Sequence, residues 1–288
     1  MNISALKISN LFRNTKTLGS LVRKFHFSTP YLSSHLVDVN GKTIHYEIVG
    51  NPNADRTILL IPGALGCGET DFGPQLKHNW GKDVTLVAFD PPGYGKSTPP
   101  ERKWTEQFLH DDAEVAAEFM KKIGKPYFSV MGWSDGGNTG VILAARYPKL
   151  VHKLIVWGSN SYCDEKDKAC YHGIYDLNKW SDRMKQPFVD MYGYEKFKDL
   201  WESWVQSILK YASNGEEGNI FKYDLKDVKC PTLILHGDKD PLVPENHPIY
   251  LHENIAGSIL ERYPNGKHNI HLRYEDEFNE RVKQFLEN

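Results

Sequence analysis

The sequence predicts an α/β protein: a mostly parallel eight-stranded sheet with helices on both faces, and a helical segment inserted after the sixth strand. Three observations carry this reading. Short apolar runs bounded by glycine or proline recur along the chain, and such runs mark strands buried on both faces. Segments with helical spacing alternate with them, as parallel strands joined by crossover helices require. The alternation stops at about residue 161 and resumes after about residue 226.

The first two strands are read at residues 36–39 and 43–47. They flank Asn40-Gly41, and Asn-Gly between alternating runs is a strong hairpin signal. Thr57-Ile58-Leu59-Leu60-Ile61 is the third strand, ending in the glycine-rich turn Pro62-Gly63-Ala64-Leu65-Gly66-Cys67-Gly68. Residues 84–89 form the fourth, ending in Asp90-Pro91-Pro92-Gly93-Tyr94-Gly95-Lys96-Ser97. Phe108, Val115, Ala116, Phe119, Met120 and Ile123 share one helical face, which predicts a helix over 104–123. A strand over 127–130 leads into Met131-Gly132-Trp133-Ser134-Asp135-Gly136-Gly137 and a helix-like run over 138–146, and residues 154–158 form the sixth strand. Residues 161–226 read as several short helices whose apolar faces come from residues such as Trp180, Phe188, Phe197, Trp201, Trp204 and Ile208. Placed after the sixth strand, they would cover the C-terminal sheet edge, where open α/β sheets bind ligands, and are expected to act as a lid. Strands over 231–237 and 258–263, a helix around 247–255 and a final helix bearing Phe278, Val282, Phe285 and Leu286 complete the pattern.

The chain has 288 residues, 40% hydrophobic and 25% charged, with a formal net charge of -2. That composition is ordinary for a globular protein and gives no reason to expect nucleic acid. No apolar run approaches the ~20 residues of a membrane span. Cys67, Cys163, Cys170 and Cys230 are scattered without a C-x-x-C pair, which points to a reducing compartment and away from a disulfide framework or zinc site. The chain is expected to be a monomer without cofactor or metal.

The first 37 residues carry Lys7, Arg13, Lys16, Arg23 and Lys24 and no acid. Leu11, Leu18, Leu21, Val22 and Phe25 fall near one helical face, with serines and threonines between the charges. A basic, amphipathic, acid-free leader reads as a mitochondrial transit peptide over residues 1–32. Arg23-Lys24-Phe25-His26-Phe27-Ser28 resembles a two-step matrix-processing pattern, with a mature start near Ser33. The alternatives are a basic tail and a cytoplasmic protein. Residues 33–288 are read as one domain, with the lid at about 161–226.

Strand, Gly-x-Ser-x-Gly, helix is the arrangement of a nucleophile elbow, here centred on Ser134. The turn is so tight that glycines are needed two residues before and after the serine. A serine hydroxyl is a weak nucleophile at neutral pH and needs a base that is itself oriented by a third group. On such a scaffold the acid follows the next-to-last strand and the base follows the last. Asp240, at the turn before Pro241, is the expected acid, and Asp238 is its competitor. His268 in the loop after the last strand is the expected base, with His271 the alternative. The oxyanion needs two backbone N–H donors: that of Asp135, and one from Ala64 or Leu65.

Four blocks together resemble the α/β-hydrolase superfamily, and within it the biphenyl hydrolase-like, or valacyclovir hydrolase, group. They are Leu65-Gly66 through Gly68-Glu69-Thr70-Asp71-Phe72-Gly73-Pro74, Gly132-Trp133-Ser134-Asp135-Gly136-Gly137, His236-Gly237 through Asp240-Pro241-Leu242-Val243-Pro244, and Gly266-Lys267-His268-Asn269. The resemblance runs from about His35 to the C-terminus. It implies the α/β-hydrolase fold and a triad of Ser134, Asp240 and His268. Pro92 departs from the superfamily pattern, which often has arginine in that structural turn.

The resemblance further implies a small-molecule substrate, an ester of an α-amino acid, with its free amine bound by Asp135. Amino-acid thiolactones present the same amine beside an activated carbonyl. A carboxylate beside the nucleophile would oppose the developing oxyanion unless it paired with an ammonium group. A purely structural role also accounts for an acid there, since an acid in a first helical turn gains ~0.3–1 kcal/mol from the dipole. The alternative functions are a general carboxylesterase or carbon–carbon bond hydrolase on the same scaffold, and a non-catalytic binding protein. Dehalogenase and epoxide hydrolase chemistry is disfavoured, because those relatives place an aspartate where Ser134 stands.

Overall fold

The computed structural model describes residues 32–213 and 218–288. The expected leader therefore lies outside the described residues, apart from Leu32, which opens the first strand. Eight strands form one sheet: β1 (Leu32–Val39), β2 (Lys42–Gly50), β3 (Arg56–Ile61), β4 (Val84–Phe89), β5 (Phe128–Trp133), β6 (Val151–Trp157), β7 (Thr232–Gly237) and β8 (Ile259–Tyr263). Their spatial order is β1-β2-β4-β3-β5-β6-β7-β8. β2 pairs antiparallel with both neighbours, and every other pairing is parallel. The helices are α1 (Gly68–Asp71), α2 (Gly73–Lys77), α3 (Phe108–Lys122), α4 (Asp135–Arg146), α5 (Glu165–Ile174), α6 (Asp182–Tyr192), α7 (Tyr194–Tyr211), α8 (Asn246–Asn254), α9 (Ile270–Arg273) and α10 (Glu275–Glu287).

The unbroken apolar runs follow from burial on both faces. Leu59 and Ile61 of β3, with Val130 and with Leu154 and Val156 of β6, face the core shared with α3, α4 and α8. Ile58 and Leu60, with Met131, Ile155 and Trp157, face the opposite core, where Phe278, Val282 and Phe285 of α10 pack. Successive side chains on a strand point to opposite faces, so a strand covered on both sides must be apolar at every position.

Three helices depart from the sequence reading. α3 begins at Phe108, four residues later than expected; Trp104 instead packs edge-on against Phe108, ring centroids 5.3 Å apart. α4 begins directly after Ser134 rather than at 138. The glycines there obscure the helical pattern, because their value lies in close approach and not in propensity. In the insertion, α7 is an 18-residue helix and not a short one.

The insertion has an aromatic core. Phe188 stacks on Phe197, and the indole N–H groups of Trp180 and Trp201 both donate to the Ile174 carbonyl, at 3.2 and 3.0 Å. Polar contacts at Tyr192, Trp204 and Asp167 are among those that join the segment to the rest of the chain. Tyr192 donates its hydroxyl to the Leu65 carbonyl at 2.8 Å and accepts from Gly95 N at 2.8 Å. Trp204 donates to Asp135, and Asp167 pairs with His247 of α8 at 2.8 Å, both side chains buried. Among the described residues no helix is long and apolar enough to cross a membrane.

Candidate active site

β5 delivers Ser134 to the C-terminal edge of the sheet. Ser134 is the residue before α4 and has φ +56° and ψ -123°, a region that side-chain-bearing residues rarely adopt. Holding it there costs roughly 1–3 kcal/mol, which the surrounding packing must offset. The glycines make the turn possible. A Cβ on Gly132 would lie 2.3 Å from the Gly136 carbonyl oxygen, and one on Gly136 would lie 2.0 Å from that of Ile61. α4 begins at Asp135, directly after the serine, so its first N–H groups and the positive end of its dipole lie at the serine's end of the helix.

The loop after β3 packs against this turn, so that a Cβ on Gly63 would touch the Trp133 ring at 3.3 Å and Ser134 Cβ at 3.4 Å. Leu65 within it takes φ +61°, and its carbonyl is held by Tyr192. Behind the loop lies Asp71. Its Oδ2 accepts from Gly63 N at 2.9 Å, and its Oδ1 accepts from the Thr70 hydroxyl at 2.8 Å. Burial pushes the Asp71 carboxyl up to about 7, against the pull of those two hydrogen bonds.

The loops after β7 and β8 are tied together by backbone bonds. Lys239 N donates to the Gly266 carbonyl at 2.8 Å and Asp238 N to that of Tyr263 at 3.0 Å. A Cβ on Gly237 would meet the Gly266 backbone at 2.5 Å, so these loops touch without side chains between them. This contact places Asp240 Oδ2 2.8 Å from His268 Nδ1, with the carboxylate side chain 2% exposed. Oδ1 accepts from Leu242 N at 2.8 Å and Val243 N at 3.1 Å. Burial opposes ionisation of Asp240. The His268 charge and hydrogen bond, with the two backbone donors, outweigh it and hold the carboxyl below its ordinary value.

The competing residues are engaged elsewhere. Asp238 accepts from Arg262 Nε at 2.6 Å on the surface. His271 is fully buried between Trp157 and the Asp71 carbonyl. His268 lies over the end of β6, where a Cβ on Gly158 would come within 2.8 Å of its ring. Ser134 N donates to the Trp157 carbonyl at 2.9 Å, so the serine backbone and the imidazole meet adjacent residues, Trp157 and Gly158, at the end of β6. Trp133 closes the group by donating its indole N–H to the His268 carbonyl at 2.9 Å.

Asp135 is 7% exposed, and Trp204 Nε1 donates to its Oδ2 at 2.6 Å. Burial pushes its carboxyl up to about 6, with Trp204 opposing most strongly. A cavity of about 630 Å³ at the other edge of the sheet is lined by Arg56, Phe128, Val151 and Pro231 and includes none of these residues.

A strained serine at the start of a helix and an Asp–His pair at the same sheet edge describe a hydrolase of the α/β fold. The chain belongs to the α/β hydrolase fold family, whose pattern matches residues 56–191, and it is a serine hydrolase. It is 46% identical over 256 residues to "Serine hydrolase BPHL" of Homo sapiens, covering 89% of this chain and 87% of that protein. The Mus musculus protein of the same name is matched with the same identity and coverage. Among solved structures, the α/β hydrolase MGS-M2 from a Medee basin deep-sea metagenome library superposes with a TM-score of 0.73 at 20% identity. That match covers 88% of this chain and 98% of that one.

Sequence reasoning missed two contributors. Trp204 reads as one more apolar position of an amphipathic helix, and nothing in its spacing announces a bond to a residue 69 positions away. Tyr192 likewise reads as packing, whereas its hydroxyl joins the loops after β3 and β4.

Proposed function

We propose that this serine hydrolase cleaves esters of α-amino acids through an acyl-enzyme on Ser134. His268, with Nδ1–H donated to Asp240, presents Nε2 as the base that takes the serine proton and returns it to the leaving alcohol. Water then releases the acyl group by the same proton path in reverse. The N–H of Asp135 and that of Ala64 or Leu65 stabilise the oxyanion. Asp135 pairs with the free amine of the substrate.

The observation that carries the substrate class is the buried carboxylate of Asp135 directly after the nucleophile. An uncompensated carboxylate there would repel the oxyanion, and it would repel anionic substrates too; a bound ammonium removes both objections. Thiolactones of amino acids offer the same amine beside a reactive carbonyl and fall within the proposal.

The test compares an α-amino-acid ester with its N-acetylated twin, on the wild-type protein and on Asp135→Ala. A strong free-amine preference that Asp135→Ala erases supports the reading. Equal turnover of the twins by the wild type leaves a serine esterase of other specificity. Hydrolysis retained in Ser134→Ala would overturn the nucleophile assignment.

Residues 1–32 are proposed to direct the enzyme to the mitochondrial matrix, on the strength of their basic, acid-free, amphipathic composition. Import of a reporter fused to this segment, followed by sequencing of the new N-terminus, tests both delivery and cleavage near Ser33. The enzyme is proposed to act as a monomer, for which a single monomeric species in sedimentation is the check.

A further inference from the structure

Trp204 stands on α7 of the insertion, yet its indole nitrogen lies 2.6 Å from a carboxylate oxygen of Asp135. Both groups are buried, at 3% and 7% exposure. Among the described residues Trp204 is the one hydrogen-bond donor to that carboxylate, and it reaches only Oδ2. The indole is itself fixed. Tyr171 of α5 packs edge-on against it at 5.6 Å, and Trp201 lies against it at 4.7 Å. Trp201 in turn is tied to the Ile174 carbonyl. A run of aromatic contacts across α5 and α7 thus ends on one oxygen of the acid beside the nucleophile.

Packing alone does not require this. Trp180 and Trp201 satisfy their indole N–H groups on a backbone carbonyl of the insertion. Trp204 directs its N–H to an ionisable group on the sheet edge, where a hydrogen bond to the charged form is stronger and more directional than one to a neutral acceptor. With Oδ2 held by Trp204, Oδ1 has no hydrogen-bond donor among the described residues.

The charged surroundings agree. Burial is the largest influence on the Asp135 carboxyl and favours its neutral form, with Trp204 the largest influence in the other direction. The Arg102 and His268 charges help ionisation, and Asp112 opposes it. Arg102 is already engaged by Asp112 through two bonds of 2.7 and 2.6 Å. The nearby hydroxyls of Tyr94, Tyr171 and Tyr211 are all held protonated, primarily by burial.

We propose that Trp204 is a positioning residue for amine selection: from the insertion it orients Asp135 and keeps it ionised, so that Oδ1 meets the substrate ammonium. The proposal rests on the reading of Asp135 as the ammonium site. It makes the insertion part of the selector and not simply a cover.

The experiment measures kcat and KM for the amino-acid ester and its N-acetyl twin along the acid limb, on wild type, Trp204→Phe and Asp135→Asn. The ratio of kcat/KM for the twins cancels the titration of His268, which both share. Comparing proteins on one substrate cancels the titration of the substrate amine. In the wild type the ratio should fall as pH drops through about 6, where the Asp135 carboxyl takes up its proton. In Trp204→Phe the midpoint should move up by roughly one to two pH units, as loss of a hydrogen bond to a charged group implies. KM for the amino ester should rise about tenfold at neutral pH, while kcat for the N-acetyl twin stays within about twofold. Asp135→Asn should show no preference at any pH.

A wild-type preference whose midpoint and size are unchanged in Trp204→Phe overturns the proposal and leaves the ammonium site standing. A wild type without any preference overturns both. Should Trp204→Phe fail to fold, Trp204→Tyr is read by the same midpoint. A preference that stays equally large and constant through the acid limb in both wild type and Trp204→Phe is likewise contrary to the proposal.

Discussion

Trp157 donates its indole N–H to Nδ1 of His271 at 2.9 Å. That bond makes Nδ1 an acceptor and leaves the ring proton on Nε2, which donates to the Asp71 carbonyl at 2.8 Å. Both nitrogens are occupied, so His271 is a neutral structural crosslink between β6 and the end of α1 at Asp71, and it has no lone pair to offer a serine.

The first prediction concerns acid stability. Burial pushes His271 down to about 3, assisted by the His268 charge and partly opposed by the bond to the Asp71 carbonyl. Unfolded, the same ring takes up a proton near its ordinary value of about 6.5. Between those values the unfolded chain binds the extra proton, so His271 makes stability fall as pH falls. Asp71 and Asp135, both raised, act with the opposite sign over the upper part of that window. They are common to wild type and to His271→Gln, so the difference between the two isolates the histidine. The urea midpoint of the wild type should lose more on acidification than that of His271→Gln, and an equal loss would refute the crosslink's titration.

Asp240→Asn should lower kcat by about 10³–10⁴-fold, because the amide cannot hold His268 in the required tautomer or stabilise its cation. Asp238→Asn should change kcat by less than about threefold, since it removes only a surface pair with Arg262, whose typical worth is ~1 kcal/mol or less. Steady-state rates on one ester decide between these two carboxylates.

Gly136→Ala places a methyl group 2.0 Å from the Ile61 carbonyl oxygen and 2.4 Å from that of Pro62. Backbone cannot yield as a side-chain end can, so a loss of about 1–3 kcal/mol or more is expected, with activity falling further than stability. Thermal unfolding and burst titration of active serine in the same preparation check both parts. Gly173→Ala, where the added carbon meets nothing within 4 Å, is the control.

Tyr192→Phe removes the hydroxyl that bridges the Leu65 carbonyl and Gly95 N–H. Two backbone groups lose a partner, which should cost about 1–3 kcal/mol. The peptide after Leu65 lies in the loop proposed to give an oxyanion donor, so kcat should fall more than KM rises, by about tenfold or more. A change confined to KM would mean that Tyr192 serves only the insertion.

The sheet was legible because its inner strands are covered on both faces, which forces the buried positions of β3 and β4 to be apolar or small. The two-residue turn at Asn40-Gly41 was legible for a related reason: Asn40 takes φ +54° and Gly41 φ +77°, values few other pairs accept. The choice between Asp240 and Asp238 stayed open because the two lie two positions apart in one loop. What separates them is Arg262, brought alongside Asp238 by β8. The standing of His271 depended in the same way on Trp157, 114 residues distant. Trp204 was hidden by its own usefulness to packing: tryptophan fills a core and donates a hydrogen bond with the same ring, and only the first role leaves a periodic trace.

The loops after β7 and β8 meet backbone to backbone at Gly237 and Gly266, both outside the insertion. The acid and the base are therefore mounted on one stiff bracket belonging to the sheet. The carboxylate proposed to select the substrate is held instead by Trp204, from the helices of the insertion. Grafting a different α5–α7 segment onto this sheet should re-aim Asp135 while leaving the Asp240–His268 pair in register, so long as Tyr192 of α6 is kept at the Leu65 carbonyl. A lineage could thus change its diet of esters without relearning how to break one.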